Sequence, residues 1–456
     1  MDYLDQQEFE SKMLNDLSHI TLKKGPIDPE YYSRYEVKRG LRDLDGRGVL
    51  VGLTEIGEVH SYILDEGEII PVPGRLIYRG YDITDLAKGF MEDGRFGFEE
   101  TVYLLLFGEL PDQKALKNFE QLLILNQKLP ENFARDIILN APSKDIMNGL
   151  ARSVLALYTF DDNADDISIK NVLKQCIKLI ASFPSLAVYS YQALTHYHGK
   201  QSLILHSPQP DLGLAENILY MLRPNRQYTE LEAKLLDLAL VLHAEHGGGN
   251  NSSFVTHVVT STGTDTYSTM AAALGSLKGP RHGGANHKVI QMFENIKENV
   301  KDWEDDEEVK NYLSRILSRD AFDHSGLIYG IGHAVYSISD PRAVILKKYA
   351  AKLAHEKGLT NEFNLYDKVE KLAPHLIAES TKMYKVVSAN VDYYSGFVYC
   401  MLNLPIEMFT PIFALARIAG WSAHRIEEIV NAGKIIRPAY KSVAPRQTYV
   451  PLNKRG

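Results

Sequence analysis

From about residue 83 onward the chain reads as apolar stripes at helical spacing, bounded by caps and glycine stops, and this excludes most architectures at once. Phe98 to Phe107 is strongly apolar and closes on Gly108, which predicts a left-handed glycine after the helix, with Pro111 just beyond. Asp112 predicts an N-cap for a helix carrying Leu116, Phe119, Leu122 and Leu123 on one stripe. Thr229 and Glu232 have the capping-box spacing ahead of Leu231, Leu235, Leu236 and Leu238. That helix is expected to end near His243–His246, because Gly247-Gly248-Gly249 propagates a helix poorly. The acidic run Glu304–Glu308 predicts the first turn of a helix bearing Val309, Leu313, Ile316 and Leu317, where carboxylates suit the helix dipole.

No alternation of strand and helix supports a parallel sheet. The β signal is confined to Arg39–Asp82, where Val49-Leu50-Val51, Tyr62-Ile63-Leu64 and Leu76-Ile77-Tyr78 read as short strands and Asp65-Glu66-Gly67 as a hairpin stop. Residues 1–40 are polar, with breakers at Gly25-Pro26 and Asp28-Pro29, and predict an arm or a short helix. The expected fold class is mainly α with a few short N-terminal strands. At 456 residues the chain is longer than one core usually grows, so more than one domain is expected.

A formal net charge of −8 argues against a nucleic-acid surface, though a few arginines can still converge on an anion. The two cysteines, Cys176 and Cys400, exclude a disulfide framework and a cysteine-based zinc site. Both are expected as small buried apolar residues in a protein of the reducing cytoplasm. The acidic start resembles neither a signal peptide nor a transit peptide. No run reaches the roughly 18 consecutive apolar residues of a membrane helix, so no membrane partner is expected.

Three segments carry chemistry. In Gly279-Pro280-Arg281-His282-Gly283-Gly284-Ala285-Asn286 a histidine precedes helix-compatible sequence, and the positive end of a helix keeps an imidazole neutral. A neutral imidazole can donate a hydrogen bond to a developing enolate oxygen. In Gly330-Ile331-Gly332-His333 the glycines admit close approach, and Val335 rules out a dinucleotide fingerprint. Asp340-Pro341-Arg342 follows, with an N-cap, a first-turn proline and an arginine that wants an anion. Asp392, inside Asn390-Val391-Asp392-Tyr393-Tyr394-Ser395-Gly396, reads equally as a base acting next to a carbonyl and as the N-cap of its helix.

Arg417 is a lone charge in an apolar helix, which calls for a substrate carboxylate or a protein carboxylate as partner, and Arg437 precedes Pro438 in the same open situation. His243-Ala244-Glu245-His246 has i, i+3 spacing that does not match H-E-x-x-H, so His246 fits substrate hydrogen bonding better than a metal. Together these residues point to an enzyme acting on a small, multiply charged acid.

Gly-Pro-x-His-Gly-Gly-Ala-Asn, Gly-x-Gly-His-x-Val-Tyr followed by Asp-Pro-Arg-Ala, and Asn-Val-Asp-x-Tyr-Ser-Gly, in this order, resemble the citrate synthase family. Weaker likeness runs from Tyr78-Arg79-Gly80-Tyr81-Asp82-Ile83 to Arg437-Pro438. The resemblance implies a helical homodimer: an arm over residues 1–40, a large domain over 41–282 completed by 396–456, and a small domain over 283–395, with the site between the two domains. It further implies Asp392 as the base toward acetyl-CoA, His282 as enol stabiliser, and His333 and His246 on the oxaloacetate ketone. Arg342, Arg417 and a partner subunit's Arg437 would hold the carboxylates, and Asn390 would lie near CoA. No metal or redox cofactor is implied. The alternatives are a 2-methylcitrate synthase using propionyl-CoA, a citryl-CoA-cleaving lyase, a non-catalytic binding or regulatory relative, and a histidine metallohydrolase.

Overall fold

The computed structural model describes residues 3–43, 47–65, 68–332, 335–381, 387–431 and 433–455. Its contacts divide the chain into two compact units, residues 1–52 with 437–456, and residues 53–436. In the first unit Tyr3–Lys24 forms one helix of 22 residues, longer than the arm or short helix expected, and its described side chains are exposed from Asp5 onward. Gly25 stops it, its N–H donating to the Thr21 carbonyl at 2.7 Å. The run Val49-Leu50-Val51 is not a strand: Leu50 is 84% exposed, and an apolar triplet without a sheet partner gains nothing by extending. Arg437 lies exposed in the extended C-terminal segment of this unit.

The second unit opens with the only sheet among the described residues: β1 (Gly57–Asp65), β2 (Glu68–Tyr78) and β3 (Tyr81–Asp82), antiparallel in that order. Gly57 pairs with Tyr78 and Asp65 with Glu68, with an irregularity between His60 and Tyr62. The hairpin stop therefore falls where the turn signal places it, although Glu66 and Gly67 lie outside the described residues.

Helices make up the rest. Phe98–Phe107 ends on Gly108 at φ 82°, a left-handed cap that glycine adopts without a Cβ penalty. Asp112 caps Gln113–Asn126 by accepting from the Ala115 N–H at 2.7 Å. Of its predicted stripe, Phe119 and Leu123 are buried, while Leu122 sits at the edge and is exposed. The Thr229/Glu232 capping box opens Glu230–His243, which ends at the start of the expected His243–His246 window, before Gly247. Asp305 caps Asp306–Leu317, whose first turn holds Asp306, Glu307 and Glu308.

The helix Ile169–Tyr197 has the length and hydropathy of a membrane span, at a mean hydropathy of 1.2, but 83% of that window is buried inside the protein. It is a core helix. It packs on Phe409–Val430, which also contacts Phe98–Phe107, Glu230–His243, Asn251–Thr260 and Thr266–Lys278. A helix surrounded in this way loses solvent on nearly every face, and Phe409–Val430 buries Trp421 completely. A second set, Ala285–Asn299, Pro341–Glu356, Thr360–Thr381 and Val391–Met401, packs around an aromatic cluster in which Phe293 stacks on Tyr366 with centroids 3.5 Å apart. Tyr393 completes the cluster, its hydroxyl donating to the Tyr366 carbonyl at 2.7 Å. Cys176 is buried as expected, whereas Cys400 is exposed at the end of Val391–Met401, where the helix turns its last face outward.

Candidate active site

The site begins with a charge the sequence places in an apolar helix. Arg417 is fully buried in Phe409–Val430, its Nε donating to the His243 carbonyl at 2.7 Å. Its two terminal nitrogens meet no acceptor among the described residues. Burial lowers its pKa from the ordinary arginine value to about 10, partly offset by Glu245. A fork of donors held this way is built to receive a carboxylate. His243, also buried, is pushed well below the usual histidine range by burial and then by Arg342 and Arg417.

Asp392 approaches from Val391–Met401. The N-cap of that helix is Asn390, whose side chain accepts from the Asp392 N–H at 3.1 Å, so the capping alternative for Asp392 is removed. The partly buried carboxyl is raised from the usual aspartate range to about 6, chiefly by burial, against the charges of Arg342 and Arg417. A carboxyl titrating there is suited to taking up a proton near neutral pH.

Two links fix this helix start. Ile331 forms a bridge with Ala389, the Gly332 N–H donates to the Ser388 carbonyl at 2.8 Å, and the Asn390 N–H donates to the Gly330 carbonyl at 2.9 Å. The Asn390 amide also donates to the Gly332 carbonyl at 3.0 Å. Gly330 lies at φ 81°, and a Cβ there would come within 2.8 Å of Tyr393, so glycine is required twice over. The second link is Asp340. It caps Pro341–Glu356, takes both Nε (3.0 Å) and Nη2 (2.7 Å) of Arg342, and accepts from the Val391 N–H at 3.2 Å. The anion answering Arg342 is therefore first of all its own cap residue. Burial disfavours the Arg342 cation, but Asp340 more than offsets this and holds its pKa up.

His282 sits in the turn before Ala285–Asn299, its N–H donating to the Gly279 carbonyl at 2.8 Å. Nε2 lies 3.1 Å from the Ser252 hydroxyl, which also receives Trp421 Nε1–H at 3.1 Å. Burial, then the charge of Arg417, lowers the His282 pKa to about 4, so the imidazole is neutral at pH 7. His246 is nearly buried, its ring centroid 5.5 Å from that of Tyr336. The phenol of Tyr78, at the end of β2, donates toward the Val241 and Glu245 carbonyls, both at 3.0 Å, and anchors the turn that carries His246.

The field of Arg417 thus reaches His282, Asp392, His243 and Glu245. Asn390, Arg342 and His246 belong to the same unit. His333 lies outside the described residues, and Arg437 belongs to the first unit. Sequence reasoning missed Ser252, Asp340 as the hub, and a group formed by buried Glu245 and His424 with half-buried His257 and Glu427. The ligating atoms of His257, His424 and Glu427 lie within 4.8 Å of one another. A signal was available: His424 stands seven residues after Arg417, on the same face of the same apolar helix.

Gly420 lies between them on that face. A Cβ there would approach the Ala244 carbonyl oxygen to 2.4 Å. Alanine is the better helix former by about 1 kcal/mol, but overpacking against backbone costs about 1–3 kcal/mol and cannot be relieved by a rotamer change. Gly420→Ala is therefore expected to lower the melting temperature, and an unchanged melt would show that Ala244 can yield.

A family described as citrate synthase, C-terminal domain, matches residues 41–439. A citrate synthase from Synechocystis sp. is 34% identical over 384 residues, 84% of this chain and 88% of that protein. A 2-methylcitrate synthase from Shewanella oneidensis is 31% identical over 83% of this chain and 92% of that protein. Among solved structures, the ternary complex of carboxymethyl coenzyme A and oxaloacetate with citrate synthase from Thermoplasma acidophilum superposes with a TM-score of 0.75 at 27% identity, covering 92% of this chain and 99% of that one.

Proposed function

The chain belongs to the citrate synthase family, and we propose that it condenses acetyl-CoA with oxaloacetate and hydrolyses the thioester to citrate and CoA. The observation that carries the reading is the pairing of a carboxyl held up to about 6 with an imidazole held neutral, both in the field of one buried arginine. Enolising a thioester requires that pair, because the barrier lies in the charge that develops on the carbonyl oxygen.

Asp392 takes a proton from the acetyl methyl group while His282 donates from Nδ1 to the enol oxygen. In that tautomer Nε2 of His282 is the acceptor at its 3.1 Å contact with the Ser252 hydroxyl, which orients the ring. The enol attacks the oxaloacetate ketone, polarised by His246 and His333. Arg417 presents its free fork to a substrate carboxylate. Arg342 contributes charge from a side chain made rigid by Asp340, and the partner subunit's Arg437 supplies the third cation. Asn390 lies toward CoA. Water hydrolyses the citryl thioester after closure of a small lobe over residues 283–395 on the large one. The reading is of a cytoplasmic homodimer that needs no metal or redox cofactor.

The likeness to a 2-methylcitrate synthase supports propionyl-CoA as the second donor to test. One methylene in an apolar pocket is worth only about 1–3 kcal/mol, so both donors can bind and the rates decide. Thiol release is to be measured with oxaloacetate plus each acyl-CoA at matched concentrations. A clear preference for acetyl-CoA is expected. Equal or faster turnover of propionyl-CoA would make the enzyme a methylcitrate synthase, and silence with both would sink the catalytic reading.

A further inference from the structure

Beside the candidate site lies a row of titratable groups that the proposed reaction does not use, buried at Glu245 and His424 and half-buried at His257, Glu427 and Glu428. Glu245, in the turn after Glu230–His243, is wholly inaccessible to solvent. Its carboxylate fills a cradle formed by two glycines of different elements. A Cβ on Gly57 would come within 2.9 Å of Glu245 Oε1, and one on Gly420 within 2.4 Å of Oε2. Two distant positions thus leave room for this one side chain. Oε1 accepts from the Gly247 N–H and from His424 Nε2, the latter at 3.0 Å. Oε2 has no hydrogen-bond partner among the described residues.

The row continues outward. His424 Nδ1 lies 3.0 Å from His257 Nε2, and His257 Nδ1 lies 2.8 Å from Glu428 Oε2. Glu427 Oε2 stands 3.7 Å from His424 Nδ1, and its other oxygen accepts the Glu55 N–H. The three imidazole contacts fit one cation in the row, and the pair of carboxylates around His424, Glu245 and Glu427, favours placing it there. His424 carries both ring protons, donating one to Glu245 and one to His257, and neutral His257 donates its remaining proton to Glu428. Burial opposes the charge on His424, but Glu245, followed by Glu427, raises its pKa to about 9. Burial and the neighbouring His424 cation lower that of His257.

Glu245 also feels Arg417, one turn before Gly420, yet the two form no ion pair among the described residues. Two opposite charges so placed in a buried site would close on one another unless one were already answered. We propose that His424 is a positioning residue for the dicarboxylate site: as a buried imidazolium it neutralises Glu245, so that Arg417 keeps its guanidinium fork for a substrate carboxylate instead of spending it on its own chain. This rests on the assignment of Arg417 to oxaloacetate made above. The same bond holds Glu245 against the Gly247 N–H, next to His246. A metal bridging the two imidazoles is disfavoured by the 3.0 Å between their nitrogens, since tetrahedral zinc with legs near 2.0–2.1 Å separates ligands by about 3.3 Å.

The test is a double-variant cycle of His424→Gln, Glu245→Gln and the two combined, followed by oxaloacetate saturation at fixed acyl-CoA and by thermal melts. His424→Gln is expected to raise the oxaloacetate KM by about 10- to 100-fold while kcat changes by less than about threefold. Adding Glu245→Gln, which removes the uncompensated charge, is expected to bring KM back to within about threefold of the wild type. A double variant as impaired as His424→Gln alone, or a loss confined to kcat, overturns the proposal. So does stoichiometric zinc in the purified protein that disappears with His257→Gln.

Should His424→Gln fail to fold, the wild-type KM for oxaloacetate can be followed between about pH 8 and pH 10, across the titration of His424 among Glu245, Glu427, Glu428, His257, Arg417 and Tyr78. A rise centred near pH 9, confined to oxaloacetate and absent for the acyl-CoA, is expected, and a flat profile or a rise that sets in only toward pH 10, where Arg417 itself titrates, overturns the assignment. If the wild type turns over neither acyl-CoA, the proposed activity fails on its own. Oxaloacetate binding, read as a thermal shift, then still tests His424.

Discussion

Asp392→Asn is expected to lower kcat by about 10³-fold and to melt a few degrees higher than the wild type. The first effect follows from losing the only group on the helix Val391–Met401 placed to accept a proton near neutral pH. Asparagine keeps the size and the backbone N–H that Asn390 accepts, so binding of both substrates should change little. The second effect follows from the direction of the pKa shift. A carboxyl raised from its unfolded value to about 6 favours the protonated fold, so its stabilising contribution is present below about pH 4 and is lost as pH rises through 6. The shift corresponds to about 3 kcal/mol at neutral pH, and partial exposure trims the recoverable part to about 1–2 kcal/mol. The gain in melting temperature should therefore be seen at pH 7 to 8 and vanish below about pH 4, while wild-type kcat climbs through an acid limb near pH 6. An active Asp392→Asn enzyme would move the base elsewhere, and a lower melting temperature would show the charged form to be welcome in the fold.

Arg417→Met should cost about 10³-fold in kcat/KM for oxaloacetate, on the order of 4 kcal/mol, because the substrate carboxylate would lose a buried bidentate partner. Methionine fills a similar volume without a charge. Burial already works against the guanidinium, so the melting temperature is expected to hold or rise. Saturation curves for oxaloacetate, together with a melt, check both halves. A change in KM below about tenfold would remove Arg417 from the substrate site.

These two side chains also mark where sequence reading is strong and where it stops. The helix limits at Gly108, Asp112 and Thr229 were legible because caps are local, with donor and acceptor at most a turn apart. Arg417 was legible as an anomaly, one cation inside an apolar stripe. What it faces was not, because its neighbours come from other helices. The Asp340–Val391 contact spans 51 residues and the Glu245–His424 contact 179, and no spacing rule reaches that far. Asp392 stayed open between base and cap because both readings place a carboxylate near a helix start. The difference is an offset of two residues, settled by Asn390 taking the cap. Val49-Leu50-Val51 failed as a strand for the converse reason: β structure is a property of pairs, and composition gives one member only.

Asp340 shows what such pairing does to the way an enzyme can change. One carboxylate caps the helix of Arg342, takes the Nε–Nη2 edge of its guanidinium and holds the peptide at the head of the helix bearing Asp392. In the proposed reaction, substrate capture and proton removal are thus hung on a single peg. A drift in Asp340 would disturb affinity and turnover together, so the two constants that selection usually adjusts one at a time are harnessed to each other here. Variants that improve one without harming the other must arise elsewhere, at residues such as Ser252, which contacts His282, or His424, which contacts Glu245.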